Sequence, residues 1–272
     1  MPSSPGRPVF AILSALVEER AGVHYGLDDQ ELFLERVGDR AREQGFDSLL
    51  DYYYFLRYDA GGKAELDRLV EHLVVHETFF FRELEPLRRV VSHFVRPALL
   101  RGLKPRIWSA ACATGEEPLT LAMLLAEENL LSETEIVASD ISERALEKAR
   151  SGRFSRRSLR SGMDAKLAER WLRHDANQLS VAPELASAIH WQRVNLCDRS
   201  ETEALGRFDV ILCRNVLIYF RDETVVRVIQ GLSSQLRAGG ALLVGVSESL
   251  LRFGTALACE ELDRVFFYRK VP

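Results

Sequence analysis

The chain is poor in cysteine, in net charge, in long apolar runs, and in glycine at the turn where nucleotide-binding folds most often carry it. Only four cysteines occur in 272 residues, Cys112, Cys197, Cys213 and Cys259. They are far apart in apolar surroundings with no C-x-x-C pair, which predicts reduced, buried thiols and a cytoplasmic setting. No stretch approaches a membrane span, and the opening MPSSPGRPVF reads as a short flexible tail without the apolar centre of a signal peptide. A formal net charge of -4 removes any general affinity for nucleic acid. His72 and His76 are four apart, but Leu73 and Val74 stand where H-E-x-x-H would need its glutamate, so no metal site is predicted. Internal repeats and low-complexity segments are absent from the sequence as well.

What is present is arranged around KPRIWSAACATGEE, Lys104 to Glu117. Arg106 to Ala111 is compact and apolar, as a buried central strand should be. Small residues follow at Ala113-Thr114-Gly115, then a helical run through Leu119, Leu121, Ala122, Leu124 and Leu125. A strand, a tight turn and a helix place backbone amides where a ligand can approach, and small side chains keep that approach open. Pro118 suits the first helical turn. A pyrophosphate site would read G-x-G-x-x-G, whereas this turn has one glycine followed by Glu116 and Glu117. Acid at that mouth repels a pyrophosphate and suits a cation such as the sulfonium or α-amino group of S-adenosylmethionine. Asp140, closing EIVASD, is placed to accept hydrogen bonds from ribose hydroxyls. The bland alternative is a βα unit that binds nothing, its acids only favouring the helix dipole.

Along the chain, Val9 to about His76 is helical, with stripes at Phe10, Leu13, Leu16 and Val17, at Leu32, Phe33, Arg36, Val37 and Arg40, and at Leu49, Leu50, Tyr53 and Tyr54. Arg36 and Arg40 share a helix face, with Arg42 at its edge, and on spacing alone they read as a solvated surface balanced by Glu35, Asp39 and Glu43. Thr78-Phe79-Phe80-Phe81-Arg82-Glu83 reads either as core packing or as an aromatic wall with Arg82 aimed at a carboxylate. Strands are predicted at Glu135–Ser139, Phe208–Cys213, Ala241–Val246 and Val265–Lys270, and helices at Ser142–Ser151, Lys166–Leu172 and Val225–Leu236, the last stopped by Gly239-Gly240. Ser151 to Arg160 reads as a surface loop. Asn177–Val181 and Ile189–Val194 alternate weakly and suggest a short antiparallel flap before Asn195-Leu196. Asn215 and Tyr219 follow the C-terminal end of a buried strand, where open α/β sheets hold ligands. The organisation is an α/β chain: a helical domain over 1–76, a linker and connecting helix over 77–104, and a Rossmann-like domain over 105–272 with a small β-subdomain at about 173–194. These residues leave three alternatives open: a nicotinamide-dependent oxidoreductase, a methyltransferase with another acceptor, and a receptor-binding scaffold without activity.

HETFFFRE, IWSAACATGEEPLTLAM, ASDISERALEKAR, FDVILCRNVLIYF and GALLVGVSES, in this order, resemble the bacterial chemoreceptor glutamate methyltransferases of the CheR family over about Phe10 to Tyr268. The resemblance implies an N-terminal helical domain joined to a Rossmann-like methyltransferase domain with an inserted antiparallel β-subdomain. It implies S-adenosylmethionine as donor, S-adenosylhomocysteine as product, and glutamates on the cytoplasmic coiled coil of a chemoreceptor as acceptors. Cofactor contacts carry over onto His76, Thr78, Arg82, Glu117, Asp140, Asn195, Leu196, Asn215 and Val216. Arg82 and Tyr219 match family positions implicated in assisting transfer. The basic helix that faces the receptor corresponds to the segment with Arg36, Arg40 and Arg42. Two departures stand out: His76 replaces the family's common asparagine, and Asp39 interrupts the arginine run. The flap RHDANQLSV lacks the glycine-bearing loop of members that dock a receptor's C-terminal pentapeptide, so no such tether is expected. A monomer without membrane insertion completes the expectation.

Overall fold

The computed structural model describes residues 7–160, 164–175 and 178–271. The predicted N-terminal tail at 1–6 and the tip of the flap at 176–177 lie outside the described residues. The chain divides into two compact units, 1–75 with 218–225, and 76–217 with 226–272.

The first unit is built from α1 (Arg7–Ala21), α2 (Gln30–Glu43), α3 (Leu49–Tyr58) and α4 (Gly62–Leu73). Arg7 and Pro8, ahead of the predicted helical start at Val9, already belong to α1. Phe10, Leu13, Phe33, Val37, Tyr52, Leu56, Leu69 and Val70 fill its interior. The third predicted stripe chose the wrong face: α3 buries Tyr52 and Leu56, while Leu50 is 42% and Tyr54 53% exposed. LLDYYYFL is apolar all round, so periodicity could not select its face. A buried polar cluster does, because Tyr52 donates its hydroxyl to Glu65 at 2.8 Å and Arg40 donates to both Glu65 oxygens at 2.7 Å. Helix α4 ends at Leu73, before His76, so the two histidines do not project from one helix.

The second unit opens with a helical segment, α5 (Leu84–Val90), a π turn (Val91–Val95) and α6 (Arg96–Leu100). Its main sheet contains β1 (Arg106–Ala110), β2 (Glu135–Asp140), β6 (Ile189–Arg193), β7 (Phe208–Cys213), β8 (Leu236–Val244), β9 (Leu257–Leu262) and β10 (Val265–Lys270). The order is β6-β2-β1-β7-β8-β10-β9, parallel from β6 to β8, with β10 and then β9 antiparallel. Helices α7 (Glu116–Glu127), α8 (Glu143–Ser151), α11 (Arg199–Ala204) and α12 (Asp222–Gln235) connect its strands, with α9 (Ala165–Trp171) and α10 (Pro183–Ser187) in the insertion after α8. Central strands are apolar on both sides and read as continuous runs, which is why β1, β2 and β7 were predictable. Ser142 caps α8, accepting a hydrogen bond from the Ala145 amide at 3.1 Å.

Three predictions are corrected here. The small antiparallel sheet is β3 (Arg153–Ser155), β5 (Gln178–Val181) and β4 (Leu172–Asp175), in the order β3-β5-β4. The predicted loop at 151–160 therefore supplies one of its strands. Ile189–Val194 is not part of that flap, because β6 pairs parallel with β2 at the edge of the main sheet. An edge strand covered on one face alternates like a flap strand, so period two could not distinguish them. Gly239-Gly240 do not end α12 in a loop but lie within β8, where the register with β7 shifts between Phe208 and Val210. A Cβ on Gly240 would come within 2.9 Å of two backbone carbonyl oxygens, of Arg237 and Asp209.

Candidate methyl-donor site

The C-terminal ends of β1, β2 and β7 meet in the second unit, at the edge where open α/β sheets hold their ligands. Between β1 and α7 the chain alternates into the left-handed region at Ala111 (φ 56°), Ala113 (φ 49°) and Gly115 (φ 90°). Alanine tolerates this at a cost that bulkier residues would raise. Gly115 has a second reason to be glycine: a Cβ there would lie 2.6 Å from the Ala149 Cβ and 2.9 Å from Trp191. The small residues of this turn thus serve its own backbone and the close packing of neighbouring elements, not only an approaching ligand.

Asp140 ends β2 and is buried. One carboxylate oxygen accepts from the Ala113 amide at 2.8 Å and the other from the Ser142 amide at 2.9 Å. Burial holds its carboxyl above the ordinary range, against those bonds and the neighbouring His76. His76 Nε2 is 4.0 Å from the same carboxylate. A carboxylate has about four lone-pair positions, so acceptor capacity remains for a diol.

Glu116 and Glu117 part company. Glu116 turns into the fold and accepts the Thr114 hydroxyl at 2.6 Å, so it is not at the mouth. Glu117 accepts the Ser109 hydroxyl at 2.7 Å and Arg214 Nη1 at 2.7 Å. Arg214 also donates through Nη2 to Glu83 at 2.8 Å and to the Arg82 carbonyl at 3.1 Å. Burial alone would lower its pKa, but the two carboxylates outweigh that and raise it. Two acids around one guanidinium leave one net negative charge, which keeps the site suited to a cation.

Phe80 and Phe81 are core, whereas Phe79 is half-buried beneath two guanidinium groups, Arg82 at 5.5 Å and Arg160 at 4.1 Å from its centroid. Arg82 donates to the Glu77 carbonyl at 3.2 Å. Thr78, Leu196 and Val216 are half-buried. Asn195 is buried, its side-chain oxygen accepting from the Cys197 amide at 2.9 Å. Asn215 takes φ 61°, and its amide donates to Glu248 at 2.6 Å. Glu248 also accepts the amides of Leu217 and Gly245, each at 2.8 Å, so one buried carboxylate shapes the loop after β7. Sequence reading missed Arg214 and Glu248. Their signals are a charge directly after an apolar strand and a carboxylate in GVSES.

Not every predicted residue belongs to this cluster. Tyr219 falls in the first unit, where its carbonyl accepts the His24 amide at 2.8 Å. Arg40 is committed to Glu65 and Glu43, Arg42 pairs with Asp39, and Arg36 donates to the Leu73 carbonyl at 3.4 Å. The predicted basic strip is therefore largely balanced within its own unit.

Cys112 and Cys213 adjoin the turn, and burial pushes both thiols well up, which argues against a thiolate nucleophile. No cluster of metal-ligating side chains occurs among the described residues. The chemistry of Asp140 and of the net negative Arg214 cluster fits the ribose and the cationic centre of S-adenosylmethionine.

Comparison with known proteins agrees. Residues 76–266 match the family description "CheR methyltransferase, SAM binding domain", and residues 8–74 match "CheR methyltransferase, all-alpha domain". Chemotaxis protein methyltransferase 2 of Vibrio cholerae is 31% identical, over 93% of this chain and 89% of that protein. Chemotaxis protein methyltransferase 1 of Pseudomonas aeruginosa is also 31% identical, over 89% and 90% respectively. A crystal structure of DszA carbon methyltransferase matches 88% of this chain and 47% of that one at 17% identity, but its TM-score of 0.41 carries no argument. With S-adenosylmethionine as cofactor and methyl transfer as its reaction, the chain belongs to the CheR methyltransferase family.

Proposed function

We propose that the protein methylates glutamate side chains on the cytoplasmic coiled coil of a chemoreceptor, producing glutamate methyl esters and S-adenosylhomocysteine in sensory adaptation. The observation that carries this reading is the pairing of Asp140 with the net negative cluster of Glu117, Arg214 and Glu83 at the C-terminal edge of the sheet, a donor site beside which a carboxylate acceptor needs no base. A glutamate is already an anion at neutral pH, its free pKa being about 4.3. S-adenosylmethionine supplies the electrophilic methyl group when bound. The protein's part is to bring a carboxylate oxygen to about 3–3.5 Å from that methyl in line and to exclude water. Arg82 orients the acceptor by a two-point hydrogen bond, loosely enough that ground-state binding does not offset the gain. Asp140, Asn195, Leu196, Asn215 and Val216, with His76, Thr78 and Glu117, bind the cofactor. Tyr219 is retained as an assistant to transfer on the resemblance alone.

Arg36 and Arg42 face the acidic receptor in this reading, and Arg40 supports them from its internal pair. The protein acts as a cytoplasmic monomer, without a pentapeptide tether. No helix among the described residues is long and apolar enough to cross a membrane. The deciding assay incubates the protein with methyl-labelled S-adenosylmethionine and a receptor cytoplasmic fragment. Base-labile label on the fragment supports the reading. Calorimetric binding of the cofactor without label on the fragment would leave a methyltransferase of another acceptor. A pulldown showing micromolar binding to a receptor tail peptide would overturn the untethered mode.

A further inference from the structure

We propose that Arg214 is the positioning residue of this site, holding Glu117 with one arm and the Arg82 loop with the other. The inference rests on reading the pocket as the methyl-donor site. Its side chain is only 2% exposed, and nothing about a lone buried guanidinium is favourable unless its partners justify it. Those partners come from two stretches far from it in the chain. Nη1 binds Glu117 at the start of α7. Nη2 binds the Glu83 carboxylate at 2.8 Å and the carbonyls of Arg82 at 3.1 Å and Glu83 at 3.4 Å.

The backbone these bonds hold is strained. Phe81 and Glu83 both take left-handed conformations, φ 65° and 47°, on either side of Arg82. Residues other than glycine remain there only when their surroundings over-determine them. The Phe81 amide is held from one side by the Thr120 hydroxyl at 3.2 Å, and Arg214 holds the next two carbonyls from the other. Arg214 also directly precedes Asn215. One planar fork therefore ties the acceptor-facing loop, the acid of the turn and the loop after β7 into one geometry, which a lysine's single ammonium cannot reproduce.

The two arms predict separable defects. Arg214→Lys keeps a positive charge but reaches one carboxylate, so the S-adenosylmethionine Kd should rise at least tenfold by calorimetry, with binding stoichiometry still near one. Glu83→Gln loosens only the Arg82 arm, so kcat on a receptor fragment should fall at least tenfold while Kd stays within threefold. A purely structural role would instead lower the binding stoichiometry, leaving Kd and the turnover per competent site unchanged. Wild-type Kd in Arg214→Lys overturns the Glu117 arm, and wild-type kcat in Glu83→Gln overturns the Arg82 arm. Should Arg214→Lys fail to fold, Glu83→Gln decides the proposal. If the wild-type protein binds S-adenosylmethionine but leaves the fragment unlabelled, the acceptor reading fails, and the Arg214→Lys affinity alone decides.

Discussion

The side chains proposed for the site carry separable expectations, and substitutions should show them. Asp140 offers the ends of its carboxylate after the Ala113 and Ser142 amides have fixed its direction. Asp140→Ala should weaken S-adenosylmethionine binding at least tenfold in calorimetry, about 1.4 kcal/mol or more; unaltered affinity would remove Asp140 from the ribose position. Arg82 carries the opposite expectation. Arg82→Ala should lose most turnover yet bind cofactor within tenfold of wild type, because the work proposed for it is on the acceptor. Unchanged turnover would end that role. The motif blocks named Asp140 and Arg82 because each stands beside residues of distinctive type. Arg214 and Glu248 were not legible. Most of their partners lie far along the chain, at Glu83 and Glu117 and at Asn215 and Leu217, and sequence spacing carries no information about such meetings.

Among elements, the turn between β1 and α7 is the most constrained. Gly115→Ala forces a side chain into φ 90° and against Ala149 and Trp191 at the same time. The expected cost is about 3 kcal/mol, measured by urea unfolding, at the upper end of ordinary single-residue effects. A loss below about 0.5 kcal/mol would mean that α8 and β6 yield easily there. The same contact adds a second reason for that glycine. The turn's glycine looked like an opening for a ligand, whereas tertiary packing of α8 and β6 also demands it. Helices and central strands were legible because their periods differ and their apolar runs are long. The edge strand β6 was not, since alternation cannot say whether its partner runs parallel or antiparallel.

At the scale of the whole chain, stability in acid depends on the first unit's buried carboxylate. Burial alone would raise the pKa of Glu65, but hydrogen bonds from Arg40 and Tyr52, with the charges of Arg40 and Arg68, hold it below its ordinary 4.5. A depressed folded pKa contributes stability that is complete above the unfolded value and is lost as pH falls through the folded one. Unfolding of this unit should therefore set in as pH drops below about 4.5, followed by far-UV circular dichroism. Glu65→Gln should remove that component of the acid transition and cost about 3 kcal/mol at neutral pH, by taking the buried one of its two carboxylates from Arg40 and leaving it the exposed Glu43. An identical acid midpoint in the variant would contradict this assignment. Asp140 has the opposite sign: burial raises its folded pKa, so it costs stability as pH rises from the unfolded pKa through the raised folded one. By itself the sequence determined the two-part α/β plan, the strand, turn and helix around Lys104 to Glu117 and the family, because these are written in local periodicity and contiguous motifs. Only the tertiary structure decided which glutamate of the turn faces the site, that Arg40 is committed inward, and that Arg214 and Glu248 knit the loops together. Buried charge is stable only beside partners that folding brings from elsewhere, so its role is settled by contacts that no local pattern contains.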